Sequence, residues 1–374
     1  MSSIIELTLV LALVAAACAL PGVFLVLRRA AMTSDAIGHV LLFGIVVAYF
    51  LTRDLESPWL LVGAAAAGLL AVILVETLAQ SQQMRSDAAL GLVFSALFAA
   101  GVLLVSVSVK NVHLDVDSVL LGQPELATEP RWSISGVQLP PVVIIAGVLV
   151  LNGLLVILFF KELKLSTFDP ELAAVLGFHP AAVHYGLMTM VAITAVASFD
   201  AVGPVLVVGF FVVPAAAAYV LTNRLAVMVL AAMLVGIVGA VGGTLMAEVG
   251  NTTTAGAVAA TLGLLFAVVF VTAPERGLIA QWRQRRRQIQ NFQELMLAVH
   301  LLQHEGLPEE ADESRWRDLH THLSWQPLQV AAVVRRAEQR GLVVRRGEYL
   351  HLTDQGRTLA RSVLHGDPPS LSAG

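Results

Sequence analysis

Charge is scarce in this chain. Only 13% of its 374 residues are Asp, Glu, Lys or Arg, about half the share of an ordinary soluble domain. Lysine is rarer still: Lys110, Lys161 and Lys164 are the only three, and none follows a glycine. The pattern G-x-x-x-x-G-K-[ST] is therefore absent, and with it the loop that cradles nucleotide phosphates. Neither G-x-S-x-G nor H-E-x-x-H occurs. No covalent chemistry is expected, and any ATP-driven work falls to a separate subunit. Cys18 is the single cysteine, which excludes a disulfide or a cysteine metal cluster within one chain.

In place of charge the chain has apolar length. Hydrophobic residues make up 57% of it, in nine runs near 4–27, 36–52, 58–80, 88–109, 138–160, 181–198, 201–222, 225–248 and 254–273. Runs of about 20 apolar residues are long enough to cross a bilayer as helices. The first run has no basic segment before it and exceeds a signal peptide in length, so it reads as an uncleaved helix. Stretches such as "GAAAAGLLA" and "GIVGAVGG" let helices approach closely in lipid, so a packed bundle is expected. Basic residues follow alternate runs: Arg28 and Arg29, Arg85, Lys161 and Lys164, Arg224, and the arginines of "RGLIAQWRQRRR". The excess of positive charge on cytoplasmic loops then puts the N-terminus outside and the C-terminus inside. The expected fold is an all-α polytopic membrane bundle of about nine spanning helices over residues 1–280.

Composition changes after the last run. Residues 281–290 read as a basic juxtamembrane linker at the lipid headgroups. Residues 291–365 read as a small cytoplasmic α+β domain. "FQELMLAVHLLQHEG" has helical spacing and stops at Gly306; "SRWRDLHTHL" reads as a second helix; "QPLQVAAVVRRAEQRG" as a third, stopped by Gly341. "LVVRRGEYLHLT" reads as a hairpin turning at Gly347, and "TDQGRTLARSVL" as a closing helix. That order is the layout of a winged helix. Residues 366–374 are disordered by composition. A nucleic-acid partner is not expected, because residues 291–374 hold nine arginines and no lysine against eleven acids, and DNA-binding domains carry a basic footprint. A protein contact, or regulation from within, suits the domain better.

Asp35 and His39 stand at the start of the second run. Four residues apart on a helix, they share one face. Carboxylate and imidazole together suit divalent manganese, iron or zinc, and ionisable groups within a span mark a functional path by default. The competing reading makes Thr33, Ser34 or Asp35 a helix cap and His39 a hydrogen-bonded neighbour. His113, Asp115 and Asp117 alternate, and share one face if extended. With Asp200 they form either an outer vestibule attracting cations or a solvated loop. "FDPELAAVLG", from Phe168 to Gly177, reads as a short helix with Asp169 and Pro170 at its start and Gly177 as its stop.

Five stretches in order resemble the permease subunits of bacterial ABC importers for manganese, zinc and iron. They are "RRAAMTSDAIGHV", "RSDAALGLVFS" (Arg85–Ser95), "HLDVDSVLLG" (His113–Gly122), "FDPELAAVLG" and the glycine- and proline-containing segment Ala201–Ala216. The resemblance covers about residues 1–280. It departs from the family at Asp200, where a neutral residue is usual, and at "NTTTAGA". It implies a multi-pass protein of the bacterial inner membrane that moves a divalent metal, manganese or iron favoured and zinc possible, and holds no permanent cofactor. It also implies an ATPase subunit, an extracytoplasmic solute-binding protein and a second permease copy, identical or related, as partners, besides membrane lipid. Asp35 and His39 become candidates for the metal path. Phe168, Asp169, Glu171, Ala174 and Gly177 become the segment that meets the ATPase. A membrane-anchored transcriptional regulator and an ion-driven carrier are the alternatives.

Overall fold

The computed structural model describes residues 2–53, 57, 59–81, 84–108, 132–134 and 137–364. Two compact units result, Met1–Leu278 and Ile279–Gly374. The first is a helical bundle: α1 (Ser2–Leu27), α2 (Met32–Thr52), α3 (Trp59–Gln80), α4 (Ser86–Ser108), a hairpin of β1 (Trp132–Ile134) and β2 (Val137–Leu139), then α5 (Pro141–Leu158), α6 (Phe160–Phe168), α7 (Pro170–Val175), α8 (Pro180–Val202), α9 (Pro204–Leu221), α10 (Leu225–Gly250) and α11 (Thr254–Thr272). Among the described residues nine helices are long and apolar enough to cross a membrane, as the nine runs led one to expect.

Helix α1 is the centre of the bundle. Val10, Leu11, Val14, Ala15, Cys18, Val23 and Phe24 have almost no exposure, whereas α4, α5 and α11 leave large apolar side chains such as Leu103, Ile157 and Leu264 exposed. That inversion, small and buried inside, large and apolar outside, is what a lipid solvent requires, since no hydrophobic drive separates the helices from the acyl chains. Close approach does the packing. A Cβ on Gly22 of α1 would collide with the backbone carbonyl of Phe211 in α9, so only glycine fits there. One buried amide ties three spans: Asn152 of α5 donates to the carbonyl of Ala17 in α1 and to Thr194 Oγ1 in α8, at 3.1 and 2.7 Å.

The boundary between the sixth and seventh runs is a single residue. Gly203, at φ 79°, ends α8, and Pro204 occupies the first turn of α9. Proline suits that position because its missing N–H would have had no helical partner.

The second unit begins in the first turn of α12 (Leu278–His304), so residues 281–290 are helical. Then come α13 (Glu310–Glu313), α14 (Leu319–His322), α15 (Pro327–Gln339), β3 (Val343–Arg346), β4 (Tyr349–Leu352) and α16 (Asp354–Leu364). Gly306, Gly341 and Gly347 all adopt positive φ, at the two helix stops and the hairpin turn expected of them. The helix expected over "SRWRDLHTHL" is broken instead. Ser314 and Trp316 pair with the hairpin through Leu350 N to Ser314 O (2.9 Å) and Trp316 N to Glu348 O (3.1 Å). Backbone groups committed to a strand cannot also close helical turns, so only Leu319–His322 remains helical. The core here is Leu297, Ala298, Leu301, Leu319, Val330, Val333, Val334 and Leu350. Glu294, 2% exposed, is held by Arg340 Nη1 at 2.9 Å and Arg336 Nε at 3.3 Å. Arg336 of α15 and Arg340 just after it are thus engaged inside the unit.

Candidate functional site

Asp35 and His39 lie on one face of α2, with Asp35 Oδ1 3.6 Å from His39 Nε2. Helix α2 starts at Met32, four residues before its apolar run, and its N-cap is Ala31. None of Thr33, Ser34 and Asp35 is therefore the cap; Ser34 instead turns its hydroxyl to the Ala31 carbonyl at 2.7 Å. Ile37, between them, lies against Gly68 of α3, which Ala192 of α8 also approaches; Gly68 and Ala192 are near the middle of their helices. Asp35 is inside the first turn of α2 and not ahead of the helix, as its place just before the apolar run suggested. Two rings of α4 hold the imidazole of His39: Phe94 stacked at 5.7 Å and Phe98 edge-on at 5.6 Å between centroids. Asp35 remains half exposed and His39 about one-third, so both have ligand atoms accessible from the side of the helix. A carboxylate and an imidazole so placed can take two positions around a divalent ion; the rest of the shell must come from elsewhere.

Other candidates are placed as follows. Asp200 lies in the last turn of α8, one residue after Phe199, whose ring approaches Gly38 of α2; the Asp200 side chain lies outside the described residues. So do His113, Asp115 and Asp117.

The segment Phe168–Gly177 forms a capped six-residue helix. Asp169 Oδ1 accepts from Leu172 N at 2.9 Å and Pro170 opens α7. Gly177, at φ 86°, closes it, with Phe178 N bonding back to Ala173 O at 3.0 Å. Ala173 is buried; Phe168, Leu172, Val175 and Leu176 are exposed, as are Glu171 and Ala174. Phe168 at the end of α6, Leu172 and Val175 on α7 and Leu176 just after it therefore leave four apolar side chains exposed within nine residues, an apolar patch without a partner in this chain's described residues.

Sequence reading missed what stands behind that helix. Arg28, just past α1, donates from Nη2 to Ser166 Oγ (2.6 Å) and from Nε to Thr167 Oγ1 (3.1 Å), the two residues before Phe168. Its Nη1 lies 3.2 Å from His184 Nδ1 in α8, and His184 Nε2 lies 2.6 Å from Glu76 Oε1 in α3. Burial pulls the Arg28 guanidinium below its usual pKa, yet arginine stays a cation. The available signal was Glu76 itself, a carboxylate in a run that otherwise lacks charge.

Comparison with known proteins gives a consistent answer. The profile described as the ABC 3 transport family matches residues 1–273. The chain is 45% identical over 361 residues to the zinc transport system membrane protein TroD of Treponema pallidum, covering 96% of this chain and 98% of that one. It is 44% identical over 271 residues to the manganese transport system membrane protein MntD of Bacillus subtilis, covering 72% and 92%. Among solved structures, PsaBC from Streptococcus pneumoniae in complex with Fab aligns with a TM-score of 0.62 at 27% identity, over 72% of this chain and 92% of that one. The match to TroD continues through the second unit; those to MntD and PsaBC cover a share that the first unit alone would fill.

Proposed function

Because this chain belongs to the ABC 3 transport family, a family of multi-pass membrane permeases and not of enzymes, we propose that it is the membrane subunit of an ATP-driven importer for zinc or manganese. The relatives are named for those two metals, and the sequence motif at Asp35 and His39 offers donors that both accept. ATP hydrolysis belongs to a separate ATPase subunit. An extracytoplasmic solute-binding protein delivers the ion, and a second permease copy, identical or related, completes the pathway. The N-terminus faces outward and the C-terminus inward, by the positive loops.

The observation that carries this reading is α7. A six-residue helix between two spans, capped at both ends, that with its flanking residues exposes Phe168, Leu172, Val175 and Leu176, suits a groove on another protein better than water. Phe168, Asp169, Glu171, Ala174 and Gly177 are its contact and shaping residues. When the ATPase pair closes on ATP, α7 is displaced, and Arg28 links its base to α1 and α8. The bundle then exchanges access from one side to the other, with Asp35 and His39 on the path of the ion. His113, Asp115, Asp117 and Asp200 form the outer vestibule. Residues 1–280 are the permease domain, 281–290 a basic linker and 291–365 a winged-helix domain that contacts protein and not DNA, before a disordered tail at 366–374. The helix–hairpin–helix order of α15, β3, β4 and α16 supports the winged-helix assignment.

The test is reconstitution of the permease with its ATPase and solute-binding protein in proteoliposomes. ATP-dependent entry of radioactive zinc or manganese is expected, with iron as the comparison. Uptake driven by an ion gradient without ATP would overturn the proposal.

A further inference from the structure

The second unit brings together four metal-ligating side chains that transport through the membrane does not require. His300 and His304 stand one turn apart on α12, with ring centroids separated by 4.9 Å. Glu313, at the end of α13, places Oε2 at 3.3 Å from His300 Nε2. His322, at the end of α14, places Nδ1 at 2.9 Å from the same oxygen. Ligand atoms of His300, His304 and Glu313 all lie within 4.8 Å of one another. His304 Nδ1 is buried with no hydrogen-bond partner among the described residues. An orphaned ring nitrogen beside a second imidazole and a carboxylate is costly to keep dry unless something binds it.

We propose that His300, His304 and Glu313, with His322 as fourth ligand, bind one divalent first-row transition metal in the unit that follows the membrane bundle. The donor set, three imidazoles and one carboxylate, suits zinc, iron or manganese, with zinc favoured by intrinsic affinity. Bonds of about 2.0–2.2 Å require tetrahedral ligand atoms about 3.4 Å apart, so the wider separations, up to 4.8 Å, must close while the 2.9 Å approach of His322 to Glu313 opens slightly. Without metal, the Glu313 carboxylate faces two imidazoles and holds the donors near one another. With metal, the ion joins α12 to the segment between Glu313 and His322, the same stretch whose strand-like pairing positions the hairpin. Metal in the surrounding solution then sets how firmly that hairpin is held. The site rests on side chains of the second unit and stands whether or not the transport reading does.

The experiment uses the full-length chain in detergent, as wild type and as the Asp35→Asn/His39→Ala variant, so that a membrane site cannot be mistaken for this one. Each is titrated with Co²⁺ and followed by visible d–d absorption, with metal counted per chain. One ion per chain, with the band displaced by Zn²⁺, is expected in the Asp35→Asn/His39→Ala protein, and the same band in the wild type. His300→Gln and His304→Gln should each weaken it by more than about tenfold, the loss typical even of supporting groups around a metal. His320→Gln, whose ring lies against the Arg317 carbonyl, should leave it unchanged. Absence of the band in the Asp35→Asn/His39→Ala protein, or identical isotherms with and without His304, overturns the proposal. X-ray absorption of the zinc-loaded parent decides independently of any variant: imidazole scattering supports the site, and a first shell without imidazole rejects it.

Discussion

Glu76 and His184 meet across the interface of α3 and α8, oxygen to Nε2 at 2.6 Å. The contact fixes a tautomer. Arginine can only donate, so Arg28 gives its proton to Nδ1 of His184 at 3.2 Å, and the imidazole proton must sit on Nε2, where Glu76 accepts it. His184 is thereby a neutral relay between a cation and a carboxylate, with Ser166 and Thr167 of α6 on the far side of the cation.

Arg28→Lys should fail to replace the native residue. A point-like ammonium cannot reach Ser166, Thr167 and His184 together, as the guanidinium fork does. Thermal unfolding in detergent should show a loss of about 1.5–3 kcal/mol, the usual range for hydrogen bonds to a charged group. Glu76→Gln should be mild, because an amide oxygen still accepts from Nε2, while Glu76→Ala should resemble the lysine variant. Native melting and native uptake in Arg28→Lys would show that the network is incidental.

Replacing Glu171 and Ala174 together by arginine should separate ATP hydrolysis from transport. Both side chains are exposed, so the chain should still reach the membrane in normal amounts. The readout is ATPase activity stimulated by loaded solute-binding protein, expected to fall by about tenfold or more, equivalent to at least about 1.4 kcal/mol of lost coupling. Gly177→Ala should give a weaker version of the same defect, since a side chain in the left-handed region costs about 1–2 kcal/mol.

Asp35→Asn and His39→Ala should each abolish metal uptake at unchanged membrane abundance. The two together should be no worse than either alone, because removing one ligand already breaks the site. Since Ala31 is the N-cap, asparagine at 35 has no capping role to rescue. Uptake of zinc and manganese in cells lacking other importers is the measurement; near-native transport by Asp35→Asn would remove the pair from the path.

In the second unit, Glu294→Gln should cost about 1.5–3 kcal/mol, the range for charge-assisted hydrogen bonds. The larger penalty of a stranded buried charge does not apply, because Arg336 and Arg340 are partly exposed and can take up water. Chemical denaturation followed by Trp316 and Trp325 fluorescence checks it. A midpoint unchanged from the native chain would mean the ion pairs contribute nothing.

The spans were legible because lipid demands long apolar runs, and their ends were less so. The run at 138–160 hides two helices and the last strand of a hairpin, and hydrophobicity has no mark for the break at Phe159. Helix α2 starts among polar residues, Thr33 and Ser34, that periodicity leaves outside it. Gly306, Gly341 and Gly347 were readable because positive φ selects glycine, whereas the break at Gly203 fell inside the seventh run as read from hydrophobicity. The Glu76–His184 contact was not, since its partners are more than a hundred residues apart and meet only through packing. The spacing of His300 and His304 was visible as one helical turn, but Glu313 and His322 join them through a segment whose strand-like pairing with a later hairpin no local propensity encodes.

The one-residue junction at Gly203 removes slack from the machine. Between Val202 and Pro204 the chain can stretch no more than about 7 Å, so α8 and α9 cannot drift apart along the membrane normal by even two helical turns. At its other end α8 is tethered to α7 by the few residues from Leu176 to His179. If α7 is displaced as proposed above, the short links on either side of α8 limit how far α8 and α9 can stay behind, and α9 approaches Gly22 of α1 with no side chain between them.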